Sequence, residues 1–513
     1  MIIHGNEVKE KLLQGIDIVA NTVKPTLGPQ ARTVILQGNP PVIINDGITI
    51  TKYISHEDPY VQMGIQMVQN LANQAQTESG DGTTTACVLA QALCHSMLEA
   101  EIKDIHSFNE LLNQLKEQVI EHIDEVKFPV QEEDVVRVAS IAANNDTELG
   151  MLIGDAVNMV GKSGIITVEE SNSYKTELVL REGMEIPEGY LSHLMCNTDA
   201  GKVRYKDPLI YLSNIPFRNF KDIVPMLEYA STQSRPLLIL CKGMEGSAMN
   251  NLLMNILNQT VQCSVILAPN FGDAQIDELG DIQSLVGGKV FNHESKDDPT
   301  VFIDEYFGTC EEVIISKERT IFVGGKGDTT SKIETLSLMV DDMEGYDKAR
   351  IKSRIARLKG GVATIKVGAS STIEMREKKE RLDDALNATK AALEEGIVVG
   401  GGMCLLKANS KIDEKNAWFR TALEAPYRTL LENSGREDVL SNKSLTSEGE
   451  LYVAFMQKKK PNYGFNALTN THEDLYDAGV FDPAKVCKSS FLAAMSIAQL
   501  FFSTDVAVLL PEE

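Results

Sequence analysis

The hydrophobic period of this chain changes twice, and that restricts its fold more than any other feature. Residues 7 to 24 place Val8, Leu12, Leu13, Ile16, Val19 and Val23 at helical spacing, and "KPTLGPQ" stops the pattern with two prolines and a glycine. Two short β-like runs follow, "TVILQ" and "PVIINDGITITKYI", and residues 60 to 125 read as long helices. The segments "GIITVEE", "ELVLREGMEI", "LIYLS", "PLLILCKG" and "CSVILAP" are β-like and alternate with amphipathic helices, which predicts an α/β domain in the middle of the chain. From about residue 330 the pattern is again helical, first charged and then apolar, as in "SSFLAAMSIAQLFF". A β-rich block between helical ends predicts a multi-domain α and α/β protein, and 513 residues exceed what one core sustains.

The charge balance narrows the partners. Lysine and arginine number 49 against 73 aspartates and glutamates, a formal charge of −24 that opposes binding to nucleic acid or anionic lipid. The start, "MIIHGNEVKEKLLQG", bears charges and no sustained apolar run, so it reads as neither a signal nor a transit peptide. No uninterrupted apolar stretch of about 18 residues is present, so neither a membrane nor a nucleic acid is expected as partner, and the location expected is cytoplasmic. The eight cysteines lie scattered without a CxxC pair and the eight histidines lack ligand spacing, which argues for reduced, mostly buried thiols and against zinc.

The stretch "SGDGTTTACVLAQAL", Ser79 to Leu93, puts three stiff β-branched threonines where a helix should begin. Their hydroxyls and the first free amides of the helix suit an anion, and Asp81 beside them suits a hard cation such as Mg²⁺. A threonine-capped surface helix is the plainer alternative. No Walker A loop is present, because "GDAVNMVGKS" has six residues between its glycines instead of four, and no GxGxxG occurs. What remains is distributed over both chain ends: "TLGP" (26–29), "NDG" (45–47), "DGTTT" (81–85), "DDAL" (383–386), "VVGGG" (398–402) and "GVFDP" (479–483). Gly183, Gly360, Gly361 and Gly396 stand where the pattern changes and are candidate hinges, although a helix C-cap explains Gly396 equally well.

With "VKPTLGPQARTVIL", "GDGTTTACVLAQAL", "KGGVATIKVGASSTIEMREKKERLDDALNATKAALEEGIVVGGG" and "NYGFNALT", the chain resembles the group I chaperonins, the GroEL type, nearly end to end, as a divergent member for which a viral source stays open. The resemblance implies an equatorial ATP-binding domain (1–124 and 395–513), an intermediate domain (125–181 and 363–394) and an apical domain (182–362). It places Thr26, Leu27, Gly28 and Pro29 around the phosphates, with Asn45 nearby. Asp81 becomes the Mg²⁺ ligand, and Gly82, Thr83, Thr84 and Thr85 surround the β and γ phosphates. Gly400 and Gly401 approach the ribose, Asn466, Ala467 and Val480 the base, and Asp482 a ribose hydroxyl. Asp384 orients or activates the attacking water with Asp46 assisting. Taken alone, Asp384 in "REKKERLDD" reads as part of a solvated helix face. K⁺ is a further ion the resemblance admits.

The same resemblance puts Tyr190, Leu194, Met195, Val224, Leu227, Met249, Leu253 and Met254 on a rim facing a ring cavity, where apolar side chains capture unfolded or partly folded proteins. Their spacing by itself fits ordinary core packing of amphipathic helices. Self-assembly into a heptameric ring, single or double, and a GroES-type co-chaperonin are the other partners implied. There are departures: Asn45 stands where the family usually has lysine, Leu468 replaces a small residue, and Val480 an isoleucine. Charge loads 98–108, and 436–462 does not follow the family pattern, so the ring-to-ring contact is expected to differ. The rival readings are an ATP-dependent small-molecule ligase or kinase, and a relative that binds proteins without cycling.

Overall fold

A computed structural model describes residues 2–37, 42–99, 105–161, 164–171, 173–198, 201–292, 303–341, 345–436, 456 and 459–509. The chain divides into two compact units, one of residues 1–155, 170–176 and 367–513, the other of 156–169 and 177–366. The insertion expected at 182–362 falls within the second unit, and 125–155 and 367–394 belong to the first. Of the segments expected to alter the ring contact, residues 100–104, 437–455 and 457–458 lie outside the described residues.

In the first unit both chain ends share one core. Helix Asn6–Val23 buries Val8, Leu12, Ile16, Val19 and Val23, the stripe its periodicity predicts. It crosses helix Pro59–Ser79 at two glycines, since a Cβ on Gly15 would lie 2.2 Å from the Val61 carbonyl oxygen and one on Gly64 2.2 Å from that of Leu12. Helix Ala484–Ser503 is long and apolar enough to span a membrane, but Phe491, Ala494, Ala498 and Phe501 are buried in this core against helices Pro59–Ser79 and Thr83–Glu99. Strand Ile2–His4 pairs antiparallel with Val506–Val508, so the two ends of the chain are hydrogen-bonded together.

One local expectation is corrected. "PVIINDGITITKYI" reads as strand throughout, yet only Val42–Ile44 is strand, and Gly47–Tyr53 is a helix. The Asp46 carboxylate caps it, accepting from Ile48 N at 3.2 Å and Thr49 N at 2.8 Å, and the helix buries Ile50 and Thr51. Cap and burial override the β propensity of isoleucine and threonine.

The second unit is built on a mixed nine-stranded sheet. Leu209–Leu212, Leu237–Cys241 and Cys263–Leu267 are parallel and almost wholly buried, which is why their sequences are unbroken apolar runs. Phe307–Ile315 joins them antiparallel, followed in order by Thr320–Gly325, Glu177–Ile186, Gly361–Val367 and Ile165–Glu170. Gly183 lies inside a strand where a Cβ would come within 2.4 Å of the Phe322 carbonyl oxygen, so it serves close strand packing. Gly396 ends helix Thr372–Glu395 at φ +91°.

Candidate functional site

The three threonines follow a sharp connection between two helices. Helix Pro59–Ser79 ends at Gly80 with φ +70°, Asp81 follows, and Gly82 at φ +84° starts helix Thr83–Glu99. Only glycine takes Gly82's conformation without strain, and its missing side chain leaves room for Ser490 Oγ, 2.2 Å from where a Cβ would sit. Ser490 donates to the Gly82 carbonyl at 3.0 Å, Ser79 donates to the Asp81 carbonyl at 2.9 Å, and Ser489 donates to Ser79 at 2.6 Å. The C-terminal helix thus pins the loop from below, leaving the first amides of Thr83–Glu99 and the Thr84 and Thr85 side chains toward a cavity of about 370 Å³.

The cavity is assembled from both chain ends. Asn433 donates to the Lys24 and Leu27 carbonyls, both at 2.9 Å, and so fixes the Thr26–Pro29 loop. Thr26 Oγ1 lies 3.4 Å from Thr84 Oγ1, and Gln30 donates to the Ala467 carbonyl at 3.0 Å. Gly400 donates its amide to the Val480 carbonyl at 3.0 Å, and a Cβ there would lie 3.0 Å from Asp482 Oδ1, so glycine is what lets that carboxylate in.

Carboxylates crowd the polar end. Burial pushes Asp81 up to about 6, with the Asp46 charge adding to the effect. Burial also raises Asp482 to about 6, with Asp81 contributing. Asp384, on helix Thr372–Glu395, is held well above the usual carboxylate range by burial first and then by Asp81, Asp46, Asp383 and Glu380. Glu380 is raised by burial and by Asp46. Four acids whose proton affinity is raised by burial and by neighbouring carboxylates are a site short of positive charge. Among the described residues no three His, Cys, Asp or Glu form a protein-only metal cage. That donor set fits Mg²⁺ arriving with phosphates, which needs only one or two carboxylates from the protein.

The lining also holds apolar side chains, those of Ile141, Leu405, Leu430, Phe465, Val480 and Val486. Apolar surface beside hydroxyls, amides and carboxylates suits a base joined through a sugar to a polyphosphate. The structure brings Thr26, Leu27, Gly28, Pro29, Asn45, Asp46, Asp81 to Thr85, Asp384, Gly401, Asn466, Ala467, Val480 and Asp482 to this one cavity, with Gly400 beside Asp482. Several of them are already engaged, Asp46 and Asn466 most fully. Both Asp46 oxygens cap a helix, and the Asn466 amide donates to Glu473 at 2.8 Å while its oxygen accepts from Leu468 N at 3.0 Å. Sequence reasoning missed Ile141, Asn145, Arg381, Cys487 and Ser490, which also line the cavity. The helical offset of Arg381 from Asp384 was a readable signal, obscured by the charge density of its helix.

The apolar residues predicted for capture divide in the second unit. Leu194 is 49% exposed and Met254 57% exposed, with Tyr190, Val224, Met249 and Leu253 half-buried. Met195 and Leu227 are corrected: they are 2% and 6% exposed and belong to the core. Met195 Sδ accepts from Val265 N at 3.4 Å, and Leu227 lies on the inward face of helix Val224–Thr232. Leu257, which the sequence reading left out, is 54% exposed on the same helix as Met254, Gly246–Leu257.

A helical unit closed from both chain ends around this cavity, interrupted by an α/β unit, is the chaperonin fold. The chain belongs to the TCP-1/cpn60 chaperonin family, whose pattern matches residues 19–510. It is similar to the chaperonin gp146 from bacteriophage EL 2 (Pseudomonas aeruginosa), solved in the presence of ATP-BeFx. One crystal form matches over all of both chains at 18% identity with TM-score 0.69. The other matches over all of this chain and 99% of that one, at 18% identity with TM-score 0.64.

Proposed function

We propose that this chaperonin subunit binds Mg·ATP in the cavity, hydrolyses it, and uses the cycle to capture and release non-native proteins on the exposed apolar residues of its second unit. The observation that carries the reading is the set of carboxylates, raised by burial and by neighbouring charge, that line one cavity with a threonine-rich helix start, an arrangement that a cation and a polyphosphate together would satisfy. The ATP-BeFx present with the phage relative supports the same ligand class.

Asp81 and the phosphate groups would hold Mg²⁺, which supplies neutralising charge. Thr83, Thr84 and Thr85, with the amides at their helix start, would replace the hydration of the phosphates, and the Thr26–Pro29 loop would close over them. Asp482 would accept from a ribose hydroxyl. Asp384 has the raised proton affinity of a general base and faces Asp81 and Asp46, so it would orient the attacking water and take its proton. Asp46, fixed by its cap bonds, would stay as a rigid negative neighbour. Leu194, Met254 and Leu257 would contact clients. A heptameric ring is the assembly inferred. The strands Ile2–His4 and Val506–Val508 expose Ile2, Val506 and Val508, and strand Val34–Leu36 exposes Ile35, so each presents an apolar edge fit to pair with another copy.

Electron microscopy of the full chain with and without Mg·ATP, together with aggregation of a denatured client, tests the reading. Sevenfold rings that suppress aggregation and release client on ATP addition are expected. A monomer in every state, or suppression indifferent to ATP, would overturn it.

A further inference from the structure

The cavity is lined by six carboxylates, those of Asp46, Asp81, Glu377, Glu380, Asp384 and Asp482, and among the described lining residues Arg381 is the only basic one. Asn45, also in the lining, is neutral. A triphosphate therefore meets one protein cation, and its position decides what it can read. Arg381 precedes Asp384 by three residues on helix Thr372–Glu395, so their stems leave the same face, and Asp384 faces Asp81 and Asp46.

Its present partners are two carboxylates, Glu377 and Asp146. Arg381 Nη2 donates to Glu377 Oε2 at 2.9 Å, and Nη1 lies 3.4 Å from Asp146 Oδ2. Nε is 2.8 Å from Glu377 Oε1 but is buried without an aligned acceptor, so the fork is only half satisfied. The Glu377 side chain is 39% exposed and that of Arg381 24%, so solvent screens the pair in part and leaves it open to competition from a better anion. Asp146 is anchored differently. Its Oδ1 accepts from Glu148 N and Leu149 N, both at 3.1 Å, which ties it to the turn holding Asn144 and Asn145 at φ 58° and 63°, and both asparagines line the cavity.

We propose that Arg381 is the phosphate-binding cation of this site, exchanging Glu377 for the terminal phosphate of a nucleoside triphosphate while keeping Asp146, so that it distinguishes triphosphate from diphosphate. The proposal rests on the nucleotide reading above. A planar guanidinium matches two phosphate oxygens at once and completes the unsatisfied fork. Drawn toward the phosphate, Arg381 holds its helix and the 144–146 turn on the cavity and keeps Asp384 at the reacting end. A diphosphate lacks the group that competes with Glu377.

Calorimetric titration of the full chain with Mg·ADP and with the non-hydrolysable triphosphate Mg·AMP-PNP tests this. Arg381→Gln is expected to lose about tenfold or more in AMP-PNP affinity, with ADP changed by less than about threefold. Glu377→Gln, which frees the guanidinium, raises the preference for AMP-PNP. Asp146→Asn, which breaks the anchoring pair but leaves the cation, keeps that preference. Should Arg381→Gln fail to fold, Arg381→Lys reads the same quantity, with a smaller loss confined to AMP-PNP. Equal weakening for both nucleotides, or reproduction of the loss by Asp146→Asn, would show a rivet between helix and turn and overturn the assignment. If the unmodified chain binds neither nucleotide, the nucleotide reading falls and this falls with it. If it binds both and Arg381→Gln leaves their ratio unchanged, this assignment alone falls.

Discussion

Asp81→Asn should make the ligand-free chain more stable while removing its response to Mg·ATP. The change keeps size and shape, and the amide oxygen can still accept from Gly82 N, which lies 2.5 Å from Asp81 Oδ1. What it removes is a buried negative charge whose pKa is raised from 3.8 to about 6, mainly by burial. The folded chain therefore holds more protons than the unfolded one between those values. Stability falls as pH rises through that window, and the full penalty stands above it. A shift of about two units corresponds to about 3 kcal/mol, an upper figure for the gain, since a buried amide has its own desolvation cost. Denaturant midpoints with EDTA present should show a rise of about 1–3 kcal/mol at pH 7.5, shrinking by roughly half or more at pH 4.5. Mg·ATP should raise the midpoint of the unmodified chain and not that of the variant. A variant that is less stable, or equally stabilised at both pH values, would show that Asp81 serves the loop and not a bound cation.

Binding of Mg·ATP at pH 6 should release protons, because a cation lowers the raised pKa values of Asp81, Asp482 and Asp384. Titrations in buffers of different ionisation heat would detect it, and zero release would contradict the account. Leu194→Ser and Met254→Ser should weaken client capture with circular dichroism unchanged, whereas Leu227→Ser should destabilise the second unit by about 2–5 kcal/mol. Gly82→Ala, strained at φ +84° and clashing with Ser490, should abolish nucleotide binding. Ser490→Ala in addition should relieve part of the clash in a thermal melt, with Val486 Cγ1 still 2.7 Å from the new Cβ, without restoring binding.

Much of this was readable where period and turn chemistry act locally. The strands of the second unit announce themselves because parallel strands buried on both faces demand unbroken apolar runs, as in Leu237–Cys241. Asp81 to Thr85 could be read as an anion and cation site from their own chemistry, but the other cavity residues of the first unit were legible only through the resemblance, since turns at Thr26, Gly400 and Asp482 signal nothing singly and converge only in the fold. Helix Gly47–Tyr53 was misread because a cap at Asp46 outweighs β propensity. Met195 and Leu227 were misplaced because helical spacing marks an apolar face without saying whether it meets core or solvent. Arg381 escaped notice because of the charge density of its helix, and Ser490 because its partner, the Gly82 carbonyl, is distant in sequence.

The account stands on ATP being held by the loops and hydrolysed through Asp384. Single-turnover hydrolysis, with bound nucleotide measured in the same samples, separates these two roles for the unmodified chain and Asp384→Ala. Near-equal binding is predicted, with hydrolysis slowed about a hundredfold or more in the variant, the range lost with a positioned base. Hydrolysis at the unmodified rate by Asp384→Ala, or an unmodified chain that binds ATP and never turns it over, would contradict it.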